Sequence, residues 1–405
     1  MRILYLHQYF MTREGVGGTR SYEFARRFVG HGHEVRMVTA VAPDEPRRRE
    51  VDGIEVVGVR AGYSDYMRGT KLGYPRRAFE FLRFASAATL AVLRGPRPDV
   101  VYATSPPLTM ALPAVAASRR HRVPLVFEVR DLWPEAPIQM GALTNPLLQR
   151  LARALERFVY RSATRVIALS PGMRDGVIAA GVGPDKVELV PNASDLELFS
   201  PELDGSAFRE RLGLGDRFVC TYFGTMGEAN DLRPVIEAAA LMEERDEDGV
   251  AFVLHGDGKR RAELEQMVRE KRVRSVIFSD PIPDKASVAR LAAASDACMT
   301  IYKDVPILYT CSPNKLFDTF AAGRAAIVNT PGWLQELVER HDAGVYVRPG
   351  DPADLAEKVV WLRDHPDDVR RFGENARRLA ETEFSRDLLA ERALGVLEGA
   401  AAARA

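Results

Sequence analysis

The sequence predicts an α/β protein of two doubly wound, Rossmann-like domains facing a cleft. Three observations carry that expectation. Short runs rich in Val, Ile and Leu recur along the 405 residues, separated by stretches of helical period. The runs are continuously apolar rather than alternating, which suits parallel strands covered on both faces. The alternation of strand and helix also occurs twice, on either side of a polar, proline-bearing segment, Ser200-Pro201-Glu202-Leu203-Asp204-Gly205. That segment is the expected linker, with residues 1–199 before it and 200–384 after it as the two domains.

In the first half the strand-like runs are Arg2–Leu6, Val35–Ala40, Ile54–Val59, Val100–Thr104, Leu125–Val129, Arg165–Leu169 and Val187–Val190. In the second they are Phe218–Phe223, Val250–Leu254, Val276–Phe278, Ala297–Ile301, Ala325–Val328 and Gly344–Val347. Amphipathic segments such as Ser21–Val29 and Leu147–Tyr160 lie between them.

Composition excludes several classes. With 56 basic and 56 acidic residues the chain has no formal net charge, so no bulk field draws it to nucleic acid. The cysteines, Cys220, Cys298 and Cys311, share no metal-type spacing and their odd number argues against a disulfide framework. The opening run RILYL has no signal-peptide pattern, and the apolar stretch 84–93 is too short to span a bilayer. A cytoplasmic enzyme is expected.

Open α/β sheets bind ligands beyond the carboxyl ends of their strands, so the loops that follow strands matter most. After the first strand, Gly15, Gly17 and Gly18 precede a helix starting near Thr19; they either present amides to a ligand or serve tight packing. Arg20 is then a phosphate clamp or a solvated first-turn residue. The fifth strand runs into FEVRDLWPE (127–135), where Glu128, Arg130, Asp131 and Glu135 crowd around Trp133. Alternation places Glu128 and Arg130 on one face, as a buried pair or as a cleft wall, and the cost of burying that much charge favours the wall. Pro191-Asn192-Ala193-Ser194-Asp195 reads equally as a turn or as an interdomain loop.

In the second half, Phe223-Gly224-Thr225-Met226-Gly227 and His255-Gly256-Asp257-Gly258-Lys259 follow strands. A third loop ends in Cys311-Ser312-Pro313, with Ser312 placed to cap a helix from Asn314 to Ala322 that Gly323 stops. Lys315 opposes the helix dipole in the first turn, and Asp318 lies one turn on. A surface ion pair explains them; so does a phosphate at the helix start with a carboxylate deeper on sugar hydroxyls. The shared topological position of these loops points to a phosphate-bearing ligand in the second domain.

Residues 70–97 carry Arg76, Arg77, Arg83, Arg94 and Arg97 on a Phe/Leu-rich helix, and Arg119, Arg120, His121 and Arg122 form a second basic cluster. Core packing and a solvated turn account for them. A membrane-facing helix and an anionic lipid carrier are the functional readings.

Together the motifs YATSPPL (102–108), VPLVFEVRDLWPEAP (123–137), LERFVYRSATRVIALSPGM (155–173), KVELVPNASDLELF (186–199), HGDGKRRAELE (255–265), VIFSDPIP (276–283) and SPNKLFDTFAAGR (312–324) resemble the family-four glycosyltransferases of the GT-B fold. The resemblance covers nearly the whole chain and is strongest to the subgroup that builds bacterial O-antigen and capsule sugars, including N-acetylfucosamine transferases. It implies metal-independent transfer of a hexose or N-acetylhexosamine-type sugar from a nucleoside diphosphate, UDP in most members, with retention at the anomeric carbon. The UDP-sugar is a substrate, and no cofactor is implied.

Residue by residue, the resemblance puts the donor against Gly17, Gly18, Arg20, Gly224, Thr225, Asn230, Gly256, Cys311, Ser312, Asn314, Lys315 and Asp318, with the base on backbone near Pro281 and Ile282. The family's paired acids, seven residues apart, become Thr310 and Asp318, so the first carboxylate is missing and the second is shortened, though still able to reach ribose hydroxyls. The family's phosphate-binding Arg and Lys are replaced by Thr225 and Asn230, which shifts neutralisation of the diphosphate to Lys315. A His-Asp pair of many relatives is Arg130-Asp131 here. Arg130, Asp131 and Lys315 are the catalytic candidates, and Glu128 and Trp133 the acceptor-side ones. The tail, about 385–405, resembles the family's helix that crosses back to the first domain.

The implied acceptor is a hydroxyl of a lipid-diphosphate-linked sugar, with peripheral attachment at the inner face of the plasma membrane. A soluble small-molecule acceptor, a UDP-sugar epimerase of the same fold, or a non-catalytic binding module are the alternatives.

Overall fold

The structure, a computed structural model, describes residues 1–14, 18–61, 74–282 and 284–403. Its first sheet has eight strands: β1 (Arg2–Leu6), β2 (Glu34–Ala40), β3 (Arg48–Val51), β4 (Ile54–Val59), β5 (Val100–Thr104), β6 (Leu125–Val129), β7 (Arg165–Ala168) and β8 (Val187–Leu189), in the order β3-β4-β2-β1-β5-β6-β7-β8. The second has six: β9 (Phe218–Phe223), β10 (Val250–His255), β11 (Val276–Ser279), β12 (Ala297–Thr300), β13 (Ala325–Val328) and β14 (Gly344–Tyr346), ordered β11-β10-β9-β12-β13-β14. Every pairing is parallel except β3 with β4. The expectation of two doubly wound parallel sheets is met.

β3 is the one strand the apolar runs do not reveal. It is an edge strand, RREV, with no buried residue, and it pairs through a hairpin turn at Asp52-Gly53, where both φ values are positive. An edge strand open to solvent on one side needs no apolar run.

Both sheets reverse strand order at their first strand, beside β1 and beside β9. Crevices open at such switch points. The loops following β1 and β9 therefore stand where a ligand belongs.

Right-handed crossovers sort the first-domain helices onto two faces. Helices Tyr74–Arg94, Ala111–His121 and Pro146–Ser162 pack side by side on one face. Helix Arg20–Gly30 covers the other, joined there by the C-terminal helix Arg386–Ala402, which also lies on β5, β6 and β7. Tyr5, Phe24, Phe28 and Tyr102 interlock beneath them, fully buried.

The segment from Val190 to Asp195 is a junction. Its carbonyls at Val190 and Pro191 accept from Arg20, Asn192 bonds Ser312, Ser194 donates to Asp318, and Arg386 donates to Ala193 O. Asp195 is paired with Arg13, Arg26 and Arg27. Of the two readings of this segment, the interdomain one describes it.

Candidate active site

Helix Asn314–Ala321 starts at the cleft and ends where Gly323 takes φ +62°, a conformation that favours glycine. Its cap differs from expectation. Pro313 occupies the N-cap with no side-chain bond, and Ser312 does not cap. Ser312 Oγ instead accepts from Asn192 N–H at 3.0 Å, because the junction segment lies closer to it than the helical amides do. Cys311 is also corrected as an amide donor to ligand: its N–H is spent on Leu308 O at 3.2 Å.

Lys315 does not pair with Asp318. Its Nζ donates to Tyr222 Oη at 2.8 Å and lies 4.0 Å from the Tyr222 ring centroid and 5.7 Å from that of Tyr302. Tyr222 in turn donates to Thr225 O at 2.7 Å. Lys315 forms no ion pair among the described residues. Burial lowers its pKa from 10.5 to about 7, against a smaller opposing effect of Cys311.

Two glycines let the neighbouring loops come close to Lys315 and to each other. At Gly224, φ is +142° and a Cβ would meet Lys315 Nζ at 3.3 Å. At Gly256, φ is +135° and a Cβ would fall 2.0 Å from Gly224 O, so the two loops touch backbone to backbone. Thr225 is exposed beside them. The Asn230 amide donates to Ile301 O at 3.1 Å, fixing this loop to the end of β12.

The opposite wall belongs to the first domain. A Cβ at Gly18 would sit 3.2 Å from Arg130 Nη2 and 3.6 Å from Asn314 Nδ2, so Gly18, Arg130 and Asn314 converge across the cleft. Gly17 lies outside the described residues. Arg130 Nη1 is 3.3 Å from His7 Nε2, and His7 Nδ1 is 2.7 Å from Ser21 Oγ. Burial, then Arg130, pushes the His7 pKa well below 6.5, so the ring is neutral. A guanidinium can only donate, so Nε2 accepts and Nδ1–H donates to Ser21. Burial raises Asp131 to about 6 against the lowering effect of Arg130. Its charge is felt at Cys311 and Tyr302 on the second domain. Trp133 meets Phe81 edge to face, with centroids 6.3 Å apart.

Two expectations on this wall are corrected. Arg20 is 1% exposed, and its guanidinium donates to Glu128 Oε2 at 2.9 and 3.0 Å and to the carbonyls of Val190 and Pro191. It is not a phosphate clamp. Glu128 is fully buried and also accepts from Tyr102 at 2.5 Å and Thr104 at 2.8 Å. Burial alone would raise its pKa, but Arg20, Arg130 and these donors bring it below the usual range. It is not an acceptor wall. Its side chain points to the sheet face covered by helix Arg20–Gly30, so its ion-pair partner is Arg20 from that helix and not Arg130, which follows the strand.

Asp318 is only 2% exposed, its carboxylate held by Ser194 Oγ at 2.8 Å and Lys285 Nζ at 3.2 Å. The open, ribose-facing carboxylate expected there is thus a tie between domains. Lys285 was invisible as a site residue; its only local signal is the Asp284 N-cap before it. Pro281 is exposed and Ile282 half-buried near it. His7 was missed too, although its place directly after β1 could have marked it. Among the described residues, no group of three or more His, Cys, Asp or Glu side chains is arranged to hold a metal, and no helix is long and apolar enough to cross a membrane.

Two doubly wound sheets facing a cleft are the architecture of the GT-B class of glycosyltransferases. Family comparison is more specific. Residues 16–193 match the glycosyl transferase 4-like domain and residues 217–365 the glycosyl transferases group 1 domain. The chain belongs to the family-4 type of GT-B glycosyltransferases. It is 30% identical to D-inositol 3-phosphate glycosyltransferase 1 of Catenulispora acidiphila, covering 86% of this chain and 83% of that one. It is 29% identical to D-inositol 3-phosphate glycosyltransferase of Thermomonospora curvata, covering 95% and 91%. In fold it is similar to sucrose-phosphate synthase from Thermosynechococcus elongatus (TM-score 0.80, 19% identity, 99% of both chains). It is also similar to Anabaena HepE in complex with UDP-glucose (TM-score 0.73, 19% identity, 98% of this chain and 100% of that one).

Proposed function

We propose that the protein transfers a hexose or N-acetylhexosamine-type sugar from a UDP donor to a hydroxyl of a lipid-diphosphate-linked sugar, with retention and without a metal. The observation that carries this reading is the approach of Gly18 and Arg130 to Asn314 across the cleft, with Lys315, the next residue, lying against Gly224 and Tyr222. The similar fold of a protein bound to UDP-glucose supports the choice of donor.

In this reading the diphosphate lies against the free amides of the helix start and against Lys315, where the glycines at 224 and 256 let backbone come close. Lys285, partly exposed beside Asp318, stands near the ribose, and backbone at Pro281 and Ile282 near the base. The acceptor hydroxyl attacks the anomeric carbon from the face the diphosphate leaves. The carbon–oxygen bond to phosphate breaks, and the acceptor's proton passes to the departing phosphate oxygen, so no separate base is required. Catalysis rests on holding the charge that grows on that oxygen, the work of Lys315 and Arg130. Asp131 and Trp133 line the acceptor side.

The test is a screen of UDP-sugars with a polyprenyl-diphosphate sugar and with water-soluble acceptors, followed by mass spectrometry and anomeric assignment of the product by NMR. A UDP-sugar consumed only with the lipid-linked acceptor, giving a retained linkage, is expected. Inversion, a metal requirement, or equal transfer to a soluble acceptor overturns the corresponding element.

A further inference from the structure

Away from the cleft, arginines collect without ion-pair partners among the described residues, although the charge of Arg157 also acts on Glu156. Arg97, Arg119, Arg120, Arg122, Arg157 and Arg161 are all exposed, and none forms an ion pair among the described residues. Nearby arginines do: Arg36 with Glu55, Arg83 with Glu80, Arg153 with Glu135. The unpaired set frames two hollows. One, of about 520 Å³, lies between helices Ala111–His121 and Pro146–Ser162 and is lined by Arg119, Arg157, Phe158 and Arg161. The other, of about 480 Å³, joins the end of helix Tyr74–Arg94 to that of Ala111–His121 through Arg97, Arg120 and Arg122. Arg119 also lies over the Phe158 ring at 5.3 Å.

The same helices expose apolar side chains mainly in their first halves, with Leu90 near the end of helix Tyr74–Arg94 the exception. Phe79 is 60% exposed, Leu147 64%, Leu151 58%, and Leu82 and Leu148 just over half. Each helix follows a parallel strand and runs back along it, so its first turns lie at the cleft side of the sheet and its last turns at the far side. One face of the first domain therefore has an apolar margin next to the cleft and a basic field behind it.

We propose that this three-helix face docks on an anionic lipid bilayer, the leucines entering the headgroup–acyl boundary and the arginines meeting lipid phosphates. A nucleic acid would neutralise the arginines but leave the leucines in water. A neutral bilayer would do the reverse. An anionic bilayer satisfies both at once. The face deepens the lipid-linked acceptor reading, since docking brings the cleft mouth to the membrane, but its test measures binding alone and stands apart from any turnover.

The full chain is sedimented with phosphatidylcholine vesicles with and without phosphatidylglycerol. Pelleting with the anionic vesicles only, reversed by raised salt, is expected. Arg119→Glu/Arg157→Glu/Arg161→Glu should weaken it by at least about a hundredfold, from roughly fivefold per arginine lost. Leu147→Ser/Leu148→Ser/Leu151→Ser should weaken it too, leaving a salt-sensitive remainder. Both variants should bind UDP as the unaltered chain does. Equal pelleting with neutral vesicles, no pelleting with either, preference for duplex DNA over vesicles, or indifference to the arginine reversals overturns the proposal.

Discussion

Lys315 Nζ is bonded to Tyr222 Oη at 2.8 Å, and that phenol hands its own proton to Thr225 O, so the ammonium has a neutral partner and no carboxylate. Burial away from water, with that neutral partner, is what brings its pKa down to about 7.

The first prediction is a pH dependence. Below about pH 7 the free chain already carries Lys315 as the ammonium, and this residue adds no slope to UDP affinity. Above it, binding must take up a proton, and affinity should fall by up to about tenfold per pH unit. Folding stability moves the other way: between pH 7 and 10.5 the unfolded chain holds the extra proton, so stability rises with pH. Calorimetry in buffers of different ionisation heat measures the uptake. Lys315→Arg should remove the slope, and a slope that persists would assign it elsewhere.

The second concerns the buried pair beneath the site. Glu128→Gln leaves the Arg20 guanidinium, 1% exposed, without its counter-charge, and should cost about 3–5 kcal/mol. Arg20→Met combined with Glu128→Leu should cost less than either single change. Chemical denaturation decides it. A near-neutral Glu128→Gln would return Glu128 to the candidates for contact with substrate.

The third separates a domain tie from a ligand contact at Asp318. Asp318→Ala strands Ser194 and Lys285 and should lower stability by about 1–3 kcal/mol. Lys285→Ala should weaken UDP binding while costing less stability, since its side chain is partly exposed. Unchanged stability in the folded Asp318→Ala variant would show that the tie is not made in solution.

The fourth is a backbone test. Gly256→Ala places a methyl 2.0 Å from Gly224 O, so the loops must separate, at a cost on the order of 1–3 kcal/mol in backbone strain alone. Gly224→Ala, at φ +142°, carries comparable backbone strain but meets side-chain atoms of Lys315 and Tyr222 and not backbone, so it should cost less stability than Gly256→Ala while lowering UDP affinity. The opposite ranking, by thermal unfolding and calorimetry, would mean that the loops are not closely packed.

The fifth is kinetic. Arg130→Ala should lower kcat by about tenfold or more with little change in stability, because its guanidinium faces the cleft and, among the described residues, hydrogen-bonds the neutral His7. Single-turnover rates test this; an unaltered rate with a raised KM would move Arg130 to binding alone.

Residue type and spacing were enough for much of the molecule. Continuous apolar runs require cover on both faces, so the parallel sheets, their order along the chain and the loops that follow strands could all be read from them; the helix from Asn314 and its stop at Gly323 follow from local backbone preference. Partner choice could not be read in this way. Arg20 lies 108 residues from Glu128, and Lys285 lies 33 from Asp318, separations at which no local pattern says which charge will meet which. Only the packing of helix Arg20–Gly30 against β6, and of the junction segment against helix Asn314–Ala321, turned two expected ligand contacts into internal pairs. That packing left Lys315 as the cation without a counter-charge, because a buried charge is settled by whatever three-dimensional neighbours can reach it, and chain order does not determine them.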